Sequence, residues 1–390
     1  MKDKKILLAM DAGFSGTKMC VNGYIVSIPF SVVDMTGKEG TYDQRRIDDG
    51  FVRGEACGRN YIIGDVAKEY LANESTEHGN REMDGFGTIA RYNMAAFKPA
   101  LELFIAYALY RYSKYTKEAE GVEEFKLEEL GDYELFIGNA LPHSDVAKLM
   151  PVIDEYLEPK KKKGHHVVLS VGNDTVGITF HVSATLYNSQ AICLLVNETT
   201  DENGDLIDGD TVYEHLPSLV LDGGYKTFGK FIFGRDQSIS GDVSDIEYAM
   251  MNVNKKVAER VRVYSPSFHD YMVDEMVESG YKVRYLDEDG KYQQIDIAKL
   301  REEVLEEVVG EYIEALNREH NKLLSIESIL LGGGTGAAYY PHFKDYCEKN
   351  RDYIDVILAF QNKDTAVNGF YGEPVFAIVA GLYKCMVSSF

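Results

Sequence analysis

Two short segments place a carboxylate, glycines, a hydroxyl and a lysine at the end of an apolar run. In the first, ILLAM leads into Asp11-Ala12-Gly13-Phe14-Ser15-Gly16-Thr17-Lys18. In the second, SLVL leads into Asp222-Gly223-Gly224-Tyr225-Lys226-Thr227. Each reads as a buried strand ending in Asp-x-Gly-aromatic, with another strand following. Glycines let such a turn bring successive backbone N–H groups against a bound anion. An aspartate at the strand end can hold a hydrated Mg²⁺ that shields phosphate charge. Two such hairpins in one chain suggest duplicated halves that grip phosphates from opposite sides. A third segment, Ile329-Leu330-Leu331-Gly332-Gly333-Gly334-Thr335-Gly336-Ala337, runs a strand into a glycine cluster. There a flat ligand such as a nucleoside base or ribose can approach closely.

Other readings of these residues fit less well. Gly332, Gly334 and Ala337 nearly satisfy the dinucleotide fingerprint G-x-G-x-x-A, but that fingerprint opens its fold, and Pro341 leaves room for only a short helix. Gly224 to Lys230 matches G-x-x-x-x-G-K, yet Phe231 stands where a Ser or Thr should bind Mg²⁺, and the strand-like FIFG follows where a helix is required. The acidic loop DENGDLIDGD (201–210) departs from the calcium-loop spacing. The lysine run 160–163 reads as a solvated turn, and the histidines, His165-His166 included, show no metal-ligand spacing.

The elements that must carry these turns are legible in outline. KILLAM is a buried strand, and the chain continues in strands turned at Asn22-Gly23. Residues 36–90 read as a small inserted subdomain with long loops, NESTEHGNREMDGFG being its mobile end. From Asn93 to Tyr115 apolar residues fall on most helical faces, which predicts a largely buried helix. A strand at 133–142, a helix around 144–157 and two strands joined at Gly172-Asn173 precede the helical SQAICLLV. After the second hairpin come a helical stretch at 243–262, a mixed insert to about 297, a long amphipathic helix, the third glycine segment and a C-terminal helix, AIVAGLYKCMV.

Composition narrows the function classes. At roughly 150 residues per domain, 390 residues make two or three units. A net charge of −22 argues against direct, broad contact with nucleic acid, which requires a basic face. The 45% hydrophobic share supports a packed core, and no apolar run approaches the roughly 18 residues of a membrane span. The N-terminal apolar run meets Asp11 without a signal-cleavage pattern, and five scattered cysteines read as reduced thiols. The expectation is a cytoplasmic protein that does not bind membranes.

The order DAGFSGTK, SQAICLL, LVLDGGYKT, LLGGGTGAAYYP resembles the actin-like ATPase superfamily. It looks closest to bacterial plasmid-segregation actins of the ParM type, with ARYNMAAFKPALELFIAYAL, HHVVLSVGNDTVGITFHV and YIIGDVAKE especially similar. The resemblance spans nearly the whole chain. It implies an α/β fold of the actin/hexokinase/Hsp70 type: two duplicated halves, each a mixed five-stranded sheet with helices, and a nucleotide cleft between them. The halves would be 1–216, with an insert at about 36–90, and 217–390, with an insert at about 235–297 and a last helix packed back towards the first half.

The same resemblance assigns roles. Asp11 would face the Mg²⁺ of ATP or ADP (GTP being the alternative), while Gly13, Phe14, Ser15, Gly16, Thr17 and Lys18 hold the β- and γ-phosphates. Asp222 would organise metal and attacking water, with Gly223, Gly224, Tyr225 and Thr227 at the phosphates from the other half. Gly332, Gly333, Gly334 and Thr335 would meet ribose and α-phosphate, and Gln190 would orient the hydrolytic water. Phe14 stands where many relatives have a serine, so Ser15 or backbone amides alone would serve the γ-phosphate. The implied function is an ATPase whose subunits add head to tail into filaments. Those filaments would move plasmid DNA through a DNA-binding adaptor protein. The alternatives are a small-molecule (sugar or acid) kinase of the same fold and another bacterial cytoskeletal actin homologue.

Overall fold

The computed structural model describes residues 4–13, 16–37, 51–73, 94–159, 164–208, 212–236, 238–287 and 289–390. Phe14, Ser15, the lysine run 160–163, positions 209–211 of the acidic loop and most of NESTEHGNREMDGFG lie outside the described residues. The chain forms two compact units, one within Met1–Ile207, Asn362–Gly372 and Phe376–Phe390, the other within Asp208–Gln361 and Glu373–Val375.

In the first unit β1 (Lys5–Ala12), β2 (Thr17–Val21) and β3 (Tyr24–Ile28) form an antiparallel meander. Its second turn is Asn22-Gly23, at φ 45° and 86°, the left-handed pair that a two-residue hairpin requires. β4 (Val32–Asp34), β5 (Val52–Ala56) and β6 (Arg59–Ile63) belong to a second sheet, followed by α1 (Asp65–Asn73) and α2 (Phe97–Glu118). From Leu101 to Tyr110 every residue of α2 is buried, which is why its apolar positions show no single stripe. β7 (Glu134–Leu141) returns to the first sheet alongside β1, and α3 (Val146–Leu157) follows. The hairpin β8 (His165–Val171) and β9 (Asp174–Phe180) pairs with β5, so the insert's sheet, ordered β4-β6-β5-β8-β9, draws on residues well beyond 36–90. β10 (Val182–Ser189) completes the order β10-β7-β1-β2-β3 and leads into α4 (Gln190–Thr199).

The second unit repeats the plan. β11 (Ser218–Gly223), β12 (Phe228–Phe233) and β13 (Ile239–Asp245) form a meander, α5 (Met250–Arg262) and α6 (Met272–Ser279) follow, and β14 (Lys282–Leu286) forms a two-stranded sheet with β15 (Tyr292–Asp296). After α7 (Ile297–Glu319) come β16 (Ser328–Gly332), α8 (Gly333–Asn350) and β17 (Asp355–Leu358). The sheet order is β13-β12-β11-β16-β17, with β11, β16 and β17 parallel. Each unit therefore has a three-strand meander whose first strand is followed, on its other side, by two further strands in parallel.

Two expectations are corrected here. The stretch 243–262 is not all helical: β13 runs to Asp245 and α5 starts at Met250. Pro341 does not stop α8, which runs through it to Asn350. The ring lies on the exposed side of the helix, where water can take up the freed carbonyl.

The C-terminal helix α9 (Ala377–Ser389) belongs to the first unit and packs on β1, β7 and α4. Gly381 makes this possible, because a Cβ there would overlap the Cys193 carbonyl. Lys384, with no exposed surface, donates to Asn197 O (2.9 Å), Asn197 Oδ1 (3.1 Å), Thr200 O (2.8 Å) and Thr365 O (2.8 Å). Its ammonium thus closes the C-terminal end of α4, where the helix carbonyls lack partners of their own.

Candidate functional site

The parallel register in the first unit aligns three strand ends: Asp11 lies opposite Ala140, and Ala140 opposite Asn188. Gln190 follows two residues later as the first residue of α4. The helix start is set by Ser189, whose Oγ accepts from Ile192 N at 3.0 Å. Gln190 Nε2 then donates to Asp11 Oδ1 at 2.9 Å. The other oxygen of Asp11 faces Lys18 Nζ at 3.8 Å, Lys18 being its cross-strand partner on β2. Asp11 is 3% exposed, so both neighbours act on a carboxylate shielded from bulk water.

Gly13 and Gly16 bracket the turn. A Cβ at Gly13 would lie 3.1 Å from Lys18 Nζ, and one at Gly16 3.2 Å from Ile28 O. Thr17 is fully buried, and its Oγ1 has no hydrogen-bond partner among the described residues. A buried hydroxyl of this kind costs about 1–3 kcal/mol while unpaired, so a ligand oxygen or ordered water against it would be favoured. Among the described residues no group of three or more His, Cys, Asp and Glu could hold a metal ion. A cation beside Asp11 would therefore take most of its ligands from phosphate and water, as Mg²⁺ commonly does.

In the second unit Asp222 again stands one residue from its strand's end, opposite Gly229 on β12 and Gly332 on β16. Gly224 N donates to Thr227 O at 2.9 Å and closes the turn. Two backbones meet here. A Cβ at Gly223 would overlap the Gly336 nitrogen, and one at Gly333, whose φ is 74°, would overlap the Gly223 carbonyl. Thr335 Oγ1 donates to Gly224 O at 2.7 Å, fastening the N-terminal turn of α8 to the hairpin. Gly332, Gly333, Gly334 and Thr335 thus open a helix, whose N–H groups favour an anion. The strand–glycine–helix geometry of the dinucleotide fingerprint is present locally, but the antiparallel meander beside it is foreign to a doubly wound sheet. The P-loop match dissolves: Lys230 lies on β12 and its Nζ reaches Glu319 at 2.6 Å. We expect Gly223→Ala to lower stability by about 1–3 kcal/mol, read as a lower urea midpoint, since backbone must move to admit one methyl.

Sequence reasoning missed the surroundings of Tyr225. Burial raises its phenol, and Asp274 adds to this, while Asn254 and Arg301 act the other way. Asn254 Nδ2 donates to Asp274 Oδ2 at 3.0 Å and Arg301 to Asp274 Oδ1 at 3.2 Å. Asn254 Oδ1 and Arg301 Nε are both buried without hydrogen-bond partners among the described residues. These residues come from α5, α6 and α7, at no spacing that a local motif could flag. Of the sequence-predicted residues, Asp11, Gly13, Gly16, Thr17, Lys18 and Gln190 come together in the first unit. Asp222, Gly223, Gly224, Tyr225, Thr227 and Gly332 to Thr335 come together in the second.

Solved structures with this architecture are numerous. The apo form of the psk41 ParM protein matches with a TM-score of 0.63 at 14% identity, covering 98% of this chain and 97% of that one. The fold is actin-like. A ParM from a 15-stranded filament of Clostridium botulinum matches at 0.60 and 16% identity over 99% of this chain and 100% of its own. An archaeal actin homologue, Ta0583, in complex with ADP matches at 0.60 and 14% identity over 99% and 100%. No protein-family model matches the sequence, and no curated protein sequence matches it. The actin-like fold explains the paired sheets, since its two halves share one plan. No helix among the described residues is long and apolar enough to cross a membrane.

Proposed function

We propose that this chain is an ATPase that polymerises on binding ATP and hydrolyses it within the filament. Through a DNA-binding adaptor it would segregate plasmid DNA, in a bacterial cytoplasm and without direct nucleic-acid or membrane contact. The observation that carries the reading is the hydrogen bond from Gln190 to Asp11, made at aligned ends of parallel strands beside a glycine turn and Lys18. It fits phosphoryl transfer, where catalysis rests on positioning and charge rather than on covalent chemistry. Bound Mg²⁺–ATP would supply the electrophilic γ-phosphorus, with ADP as the leaving group. Asp11 uses one oxygen to hold the Gln190 amide, which leaves the amide oxygen to accept from water. The Lys18 ammonium and the N–H groups of the Gly13–Thr17 turn would offset phosphate charge. The Gly223–Thr227 turn, Asp222 and the N-terminus of α8 offer the same chemistry in the second unit. The ADP complex and the filament among the structural neighbours support the reading by analogy.

Sedimentation with ATP, ADP or no nucleotide, run beside phosphate release, tests it. ATP-dependent pelleting with phosphate release is the expected result. Release that requires an added sugar or acid, without pelleting, would establish the kinase alternative. Gln190→Ala is expected to slow release roughly 10²-fold while leaving ATP-dependent pelleting in place, read by the same two assays.

A further inference from the structure

Cys193 on α4 and Cys385 on α9 belong to neither turn, yet their helices pack against each other in the unit that holds the Asp11–Gln190 pair. The helices carrying them are in backbone contact, because Gly381, one turn before Cys385, leaves no space for a Cβ against the Cys193 carbonyl. The two thiols lie close enough for each to shift the other's ionisation. Cys385 Sγ also accepts from Asn188 Nδ2 at 3.4 Å, and Asn188 lies at the strand-end level of Asp11. Cys193 is fully buried, whereas Cys385 is partly exposed.

We propose that Cys193 and Cys385 are a redox-responsive dithiol, closed to an intramolecular disulfide by a low-molecular-weight disulfide, and that closure fixes α4, with Gln190, against α9. The Cys385 sulfur attacks one sulfur of the oxidant and expels a thiolate. Cys193 then attacks the mixed disulfide at Cys385 and expels the second. Both protein S–H protons leave, and two electrons pass to the oxidant, which ends as two thiols. The order of attack follows from the surroundings. The neighbouring Cys193 thiol holds Cys385 below the ordinary range, with Asn188 and Lys384 acting the same way against burial. Burial, then Cys385, then Asp11 keep Cys193 protonated until the mixed disulfide forms beside it. The other cysteines are poor competitors: burial and Glu102 push the exposed Cys57 up to about 11, burial does the same to Cys347, and Cys20 is fully buried.

The effect on α4 rests on the proposed role of Gln190, so the test separates the two. Folded protein is treated with oxidised glutathione, trapped with N-ethylmaleimide and mapped by mass spectrometry. A peptide bridging Cys193 and Cys385 should dominate and vanish on reduction. In Cys193→Ser the reaction should stall with glutathione on Cys385, and Cys385→Ser should show neither product. Glutathione left on Cys385 in the unaltered protein, or bridges to Cys20, Cys57 or Cys347, would overturn the dithiol. Phosphate release should fall roughly 10- to 100-fold on oxidation, recover on reduction, and not respond in Cys385→Ser. A bridge that leaves release unchanged would overturn the link to Gln190. Reduced protein that releases no phosphate would overturn the ATPase reading and that link, while the bridged peptide still decides the dithiol.

Discussion

Replacing Asp222 by Asn is expected to slow phosphate release about 10²- to 10³-fold, to leave ATP affinity within a few-fold, and to make pelleted polymer persist long after wild-type polymer has dispersed. The substitution is chosen for its shape. Asn is as good a turn former as Asp and nearly isosteric, so a carboxylate serving only the Asp222-Gly223-Gly224 turn would be replaced without consequence. The charge is what it removes. A group that organises metal and attacking water acts mainly on the transition state, so its loss appears in turnover far more than in binding. If hydrolysis limits filament lifetime, slower release must lengthen it. Radiolabelled phosphate release, equilibrium binding of a fluorescent ATP analogue and timed sedimentation read the three effects separately. Hydrolysis at the wild-type rate in Asp222→Asn would reduce this residue to a structural turn former and remove the second unit's carboxylate from the chemistry.

The two hairpins were legible because each is local. A buried strand, an aspartate and a glycine turn occupy a dozen residues, and their repetition announced a duplicated architecture that the matching sheet orders display. What escaped was non-local or positional. The segment Ile239–Asp245 carries too few apolar residues to read as a strand, and only pairing with β12 makes it one. Pro341 misled because local rules treat proline as a stop, whereas on an exposed helix face it is tolerated. The pairing of β5 with β8, more than a hundred residues apart, has no signature in either strand. The site divides the same way. Asp11 and Lys18 face each other across one hairpin, but the contact of Gln190 with Asp11 depends on the register of three parallel strands. Even there a clue existed: a lysine within the otherwise apolar AIVAGLYKCMV signals a buried partner, and Lys384 has four.

That lysine should prove among the most sensitive positions for stability. At pH 7 Lys384→Met relieves the cost of burying an ammonium but strands four buried acceptors at the end of α4 and around Thr365. Burial brings the ammonium's pKa down from 10.5 to about 8, Glu198 and Asp201 pulling the other way. That shift corresponds to roughly 3 kcal/mol of relief. The three hydrogen bonds an ammonium can donate, shared among these four acceptors, are worth about 1–3 kcal/mol each when lost, about 6 kcal/mol at mid-range, so a net loss of about 2 kcal/mol or more is expected from urea unfolding. The pH dependence has a definite sign. Below pH 8 folded and unfolded chains both hold the proton, and this group adds no slope. Between 8 and 10.5 the unfolded chain keeps a proton that the folded one has released, so wild-type stability gains from this group as pH rises. The methionine variant lacks that gain, and its stability curve should diverge from wild type above pH 8 by up to roughly 3 kcal/mol. Parallel curves would mean that the four carbonyl-side acceptors hold the proton on Lys384 throughout. In either case α4 loses the closure of its C-terminal end while its N-terminal end carries Gln190. The same variant should therefore lose phosphate release at temperatures below its unfolding transition.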